Sequence, residues 1–69
     1  MKNLKMIRIS RGMSQEALAK AIGVTQQAIW NYENGIREPD LDTLRKLTEA
    51  LDCTLEDLIG WKSYAIENH

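Results

Sequence analysis

The sequence predicts an all-α fold, a bundle of five short helices around one small core. Three observations carry this expectation. Apolar residues recur at three- and four-residue spacing along the chain, the mark of one buried helix face. Ser14, Thr25, Asp40 and Thr54 stand where helices would start, and Gly12, Gly23, Gly35 and Gly60 where helices would stop. No run alternates apolar and polar residues with β-branched enrichment, so no strand is expected.

In chain order, Leu4, Ile7, Arg8 and Arg11 share helical spacing, which predicts a first helix over residues 2–11, ended by Gly12. Met13 turns inward. Ser14 is the N-cap of a second helix, and Glu16 in its first turn favours the helix dipole. That helix runs to Ala21 or Ile22, and Gly23 makes a tight turn at little steric cost. Thr25 caps a third helix that stops at Asn34 and Gly35. Pro39 excludes helix just before it. Asp40 caps a fourth helix whose apolar positions are Leu41, Leu44, Leu47 and Leu51. Thr54 and Asp57 form a capping-box-like start for a short fifth helix carrying Leu55, Leu58 and Ile59. Residues 1–60 are thus expected to form one domain. Residues 61–69 are a short tail whose Trp61, Tyr64 and Ile66 either cover the core or meet a partner.

Residues 15–34 are the most informative stretch. Leu18, Ala19, Ile22, Val24, Ile29 and Tyr32 supply apolar contacts between the second and third helices, and Ala19 is small where they cross. The pattern is a helix-turn-helix. Its second helix presents Gln26, Gln27 and Asn31 outward, and amide side chains that donate and accept at once can pair with adenine edges.

Composition narrows the function classes. One cysteine among 69 residues forms no internal disulfide, and no Cys/His cluster has metal-ligand spacing. A reducing, cytoplasmic setting is expected. No apolar run approaches the roughly 18–20 residues of a membrane span, and residues 1–8 are interrupted by charge too often for a signal peptide. The net charge of −1 conceals a division. Residues 1–37 carry six basic and two acidic side chains, net +4, whereas residues 38–69 carry three and eight, net −5. A phosphate backbone meets one face, so the first half suits nucleic acid. Asp40, Asp42, Glu56 and Asp57 fall in helix first turns, where acids balance the dipole, and are not read as a metal or acid–base site. Cys53 reads as a buried space-filler. No catalytic constellation, cofactor or metal is expected; the chain does not read as an enzyme.

Residues 3–60 resemble the Cro/C1-type (XRE) helix-turn-helix regulators. Within that family, Thr25-Gln-Gln-Ala-Ile-Trp-Asn-Tyr-Glu-Asn-Gly35 is similar to the recognition helix of the phage 434 repressor. The resemblance implies a lambda repressor-like five-helix bundle that binds an inverted-repeat DNA operator as a symmetric dimer, its third helix in the major groove. Gln26 and Gln27 match base-reading positions, with Ala28 beside them for a thymine methyl and Asn31 one turn on. Ser14, Gln15 and Thr25 match positions that approach phosphate at helix N-termini, and Asn34 and Arg37 flank the groove. Trp30 stands where that pattern has an acid and is expected to meet the DNA backbone by stacking on sugar–phosphate, with packing against Ile36 as the alternative. Arg8 and Glu33 match an ion pair that the family often forms between the first and third helices, a strut more than a ligand.

A transcriptional repressor is the leading expectation. A DNA-binding antitoxin whose tail also holds a toxin is the alternative in the same class, and a protein-interaction module that has lost DNA binding is the alternative outside it.

Overall fold

The computed structural model describes residues 1–60. Trp61, Tyr64 and Ile66, and with them the expected tail contact, lie outside the described residues. Five helices follow in order: α1 Leu4–Ser10, α2 Gln15–Ile22, α3 Gln26–Glu33, α4 Leu41–Leu51 and α5 Leu55–Ile59. The fold is all-α, with no strand among the described residues.

Four helices start on a side chain that accepts from the backbone N–H three residues on: Ser14 from Ala17, Thr25 from Ala28, Asp40 from Thr43 and Thr54 from Asp57. Each satisfies a donor that the helix start would otherwise leave unpaired. Thr54 and Asp57 complete a reciprocal capping box. Hydrogen bonds from the Thr43 side chain and backbone hold the Asp40 carboxyl below the usual carboxylate range.

α1 starts two residues later than its spacing predicts. The Asn3 backbone N–H donates to the Leu58 carbonyl at 3.0 Å, and its side-chain amide donates to the Asp57 carbonyl at 3.0 Å. Asn3 therefore spends its polar groups stapling the α1 start to α5. Gly60 closes α5 at φ 75°, the left-handed conformation that favours glycine.

The core gathers Leu4 from α1, Leu18, Ala19 and Ile22 from α2, Ile29 and Tyr32 from α3, Leu47 and Leu51 from α4, and Leu58 from α5. α2 packs most extensively on α3 and next on α4. Gly23, at φ 76°, turns the chain between α2 and α3. Met1 is also buried, and its ammonium donates to the Tyr32 carbonyl at 2.6 Å near the end of α3.

Leu41 departs from expectation: it is 79% exposed. Its spacing of three from Leu44, and of three again from Leu47, is the reason. Three residues fall about 60° short of a full turn, so two such steps carry Leu41 about 120° around the helix from Leu47. Leu55 is 39% exposed on the neighbouring helix. Cys53 is half-buried between them, and burial pushes its thiol pKa up.

Arg11 also has a role that local pattern does not show. Its Nε donates to the Leu51 carbonyl at 2.6 Å and its terminal nitrogen to the Asp52 carbonyl at 3.1 Å. A cation thus closes the C-terminal end of α4, where Asp52 adopts the left-handed conformation at φ 51°. Arg11→Ala should lower the unfolding free energy by about 1–2 kcal/mol, read as a shift of the urea midpoint with an unchanged slope.

Candidate nucleic-acid interface

At the heart of the site is an ion pair. Arg8 on α1 and Glu33 at the end of α3 meet with Nε–Oε2 at 2.6 Å, and their side chains are 8% and 2% exposed. A second guanidinium nitrogen of Arg8 donates to the Met13 carbonyl at 2.7 Å, and the third reaches Glu33 Oε1 at 3.4 Å. Gln15, the first residue of α2, donates its amide to the same Oε1 at 2.9 Å. Its own oxygen accepts from the Gln26 amide at 3.3 Å. A continuous hydrogen-bonded chain therefore runs from the buried guanidinium to the first residue of α3.

Beside this chain, Gln27 donates to Asn31 Oδ1 at 3.1 Å across one turn of α3. Gln26 and Gln27 are exposed and Asn31 is half-exposed. The structure thus brings the three amides onto one face, each partly fixed before any ligand arrives. Each keeps further donor or acceptor capacity for a ligand. Trp30 joins this face at 44% exposure and shares a concavity with Gln15, Gln26 and Gln27. Ala28 does not join it; half-buried, it packs against the core cluster beneath.

The positions matched to phosphate contacts surround this face. Ser14 and Thr25 are exposed caps at the starts of α2 and α3. Each hydroxyl oxygen accepts a cap bond while its O–H proton stays available to donate. Asn34 is exposed at the end of α3, and its amide donates to the Trp30 carbonyl at 2.8 Å. Arg37 is exposed in the next loop, which hangs from the Asn31 carbonyl through the N–H groups of Ile36 at 2.9 Å and Arg37 at 3.4 Å. The positive balance of the first half is therefore only partly available to an anion. Arg8 is neutralised by Glu33, and Arg11, though exposed, is held by carbonyls at the end of α4, so Lys2, Lys5, Lys20 and Arg37 are the other exposed cations of residues 1–37.

Sequence reasoning gave Gln15 a backbone-contact role and missed its second one, as the bridge between Glu33 and Gln26. Eleven residues separate it from Gln26 and 18 from Glu33, and no periodicity in the chain links such positions.

The family comparison agrees with this geometry. A helix-turn-helix family pattern matches residues 4–58. The chain belongs to the Cro/C1-type helix-turn-helix family. Members of this family are DNA-binding transcriptional regulators, not enzymes. The chain is 43% identical over 56 residues to the SPbeta prophage-derived HTH-type transcriptional regulator YonR of Bacillus subtilis, covering 81% of this chain and 52% of that protein. It is 30% identical over 57 residues to the cryptic phage CTXphi transcriptional repressor RstR of Vibrio cholerae, covering 83% and 51%. It is also 35% identical over 52 residues to the antitoxin HipB of Escherichia coli K12, covering 75% and 59%. The chain spans little more than half the length of these relatives. No helix among the described residues is long and apolar enough to cross a membrane.

Arg8→Ala would leave the Glu33 carboxylate buried without its cation. The expected loss is about 3–5 kcal/mol, enough to unfold a domain this small, and thermal melting followed by circular dichroism measures it. An unchanged melting temperature would refute the strut.

Proposed function

We propose that the chain is a sequence-specific repressor that binds an inverted-repeat operator in double-stranded DNA as a homodimer. The observation that carries this reading is the fixed polar face of α3. Gln26 is held through Gln15 to the buried Arg8–Glu33 pair, and Gln27 is held by Asn31. A preoriented amide loses less side-chain entropy when it pairs with a base edge. In this reading Gln26, Gln27 and Asn31 read bases in the major groove, with adenine the natural partner of a glutamine amide. Ser14, Gln15, Thr25, Asn34 and Arg37 hold the sugar–phosphate backbone, the first three at helix starts whose free N–H groups and positive dipole attract an anion. The site of action is the cytoplasm.

The dimer follows from the same argument, since an inverted repeat asks for two-fold symmetry. An apolar groove of about 670 Å³ between α4 and α5 supports it, with Leu41, Leu44 and Leu55 in its lining. Asp42 and Arg45 also line this groove. These two pair with each other across one turn of α4 at 2.8 Å, so the case for a symmetric contact rests on the apolar lining. A second reading, a DNA-binding antitoxin, is favoured by the likeness to HipB. Co-purification of a stoichiometric toxin expressed from the adjacent gene would favour it over a free-standing repressor.

Selection of bound duplexes from a random pool at physiological salt tests the main reading. The expected outcome is an enriched inverted repeat with half-site centres roughly 10–11 base pairs apart. Gln26→Ala and Gln27→Ala should each relax one position by about 1–3 kcal/mol, whereas Arg37→Ala should weaken all sequences alike and flatten the salt dependence. Unchanged sequence preference in both glutamine variants would sink the base-reading assignment. Leu41→Glu and Leu55→Glu should give folded monomers by sedimentation equilibrium, with weaker operator binding. A dimer that survives both would move the interface elsewhere.

A further inference from the structure

We propose that Trp30 reads the 5-methyl group of a thymine in the major groove. The inference rests on the DNA reading above and deepens it. From the sequence, Trp30 could stack on sugar–phosphate or pack against Ile36. In the structure it lines one concavity with Gln15, Gln26 and Gln27, while Ile36 is 67% exposed. Trp30 lies four residues after Gln26 and three after Gln27, so all three share the outer face of α3. It sits among the amides, not at a helix start or in the flanking loop where backbone contacts gather.

The chemistry of the indole then selects its partner. Trp30 is 44% exposed, a large apolar surface set among hydrogen-bonding side chains. Base edges in the major groove present donors, acceptors and one apolar group, the thymine methyl. An indole has an N–H donor and no acceptor. Set against cytosine, it would leave the N4 amino donor without a partner, which is costly once water is excluded. Against thymine it covers the methyl and leaves no such orphan. One helical turn advances about 5.4 Å and one base-pair step about 3.4 Å, so this thymine lies one or two steps from the base pair met by Gln26.

The test follows operator selection. Each thymine is replaced in turn by deoxyuridine, together with its symmetry mate, which removes the methyl and nothing else. One thymine within two steps of the glutamine-contacted adenines should weaken binding by about four-fold per half-site, the ratio for one buried methyl group. Trp30→Ala, shown to be folded by circular dichroism, should bind the thymine and uracil duplexes equally. Native protein indifferent to uracil at every position overturns the inference and leaves the operator standing. So does a Trp30→Ala protein that keeps the full uracil penalty, or one that loses affinity uniformly across sequences, which would assign Trp30 to sugar–phosphate. Folded native protein that enriches no duplex overturns the DNA reading and this inference with it.

Discussion

The placement of the polar face of α3 depends on one buried ion pair. Arg8 and Glu33 are nearly without solvent, and charges in that position destabilise a small domain unless every donor and acceptor is met. Here the guanidinium is shared between Glu33 and the Met13 carbonyl, and the carboxylate between Arg8 and Gln15. No buried side-chain nitrogen or oxygen among the described residues lacks a partner. The pair joins α1 to α3, and the Gln15 bridge brings in the start of α2. Three elements are thereby fixed by directional bonds at the end of the domain where α3 presents its amides. Apolar packing turns the core faces of these helices toward each other, and the directional bonds pin their polar ends together.

The two halves of the chain carry different duties. Residues 1–37 hold the amide face, the helix starts that suit an anion and the exposed Lys2, Lys5, Lys20 and Arg37; the exposed Arg45 and Lys46 of α4 pair with its acids. α4 and α5 carry the acids, several of them in caps and first turns, and an apolar groove edged by opposite charges. In the proposed DNA complex, with Arg8 paired to Glu33 and Arg11 held by carbonyls at the end of α4, few side-chain cations of α1–α3 would remain for phosphate. Neutral hydrogen bonds would then carry more of that binding, those from hydroxyls and helix starts positioning the protein on phosphate and those from the α3 amides discriminating sequence.

Much of this was legible without coordinates, for a physical reason. A cap is a contact between residues three apart, so Ser14, Thr25, Asp40 and Thr54 announce their helices in the chain itself, as Gly23 and Gly60 announce their turns. The buried faces of α2 and α3 were equally plain, because Leu18, Ile22, Ile29 and Tyr32 keep the helical period. The pattern failed where spacing drifted: Leu41 continues the leucine series by count yet lies around the helix from its core face. It also failed for Arg11 and Asn3, whose partners stand 40 and more residues away on α4 and α5.

The sequence by itself determined the helices, their caps and which α3 amides face outward, since these follow from local periodicity and short-range hydrogen bonding, and its likeness to a known helix-turn-helix family pointed to the family. The tertiary structure decided which of those groups act together. It joined Gln26 to Gln15 and Glu33, turned Ala28 inward, set Trp30 among the amides and assigned Arg11 to the end of α4. Each of these depends on where one helix lies against another. That placement comes from the whole core closing at once, and no window of the chain contains it.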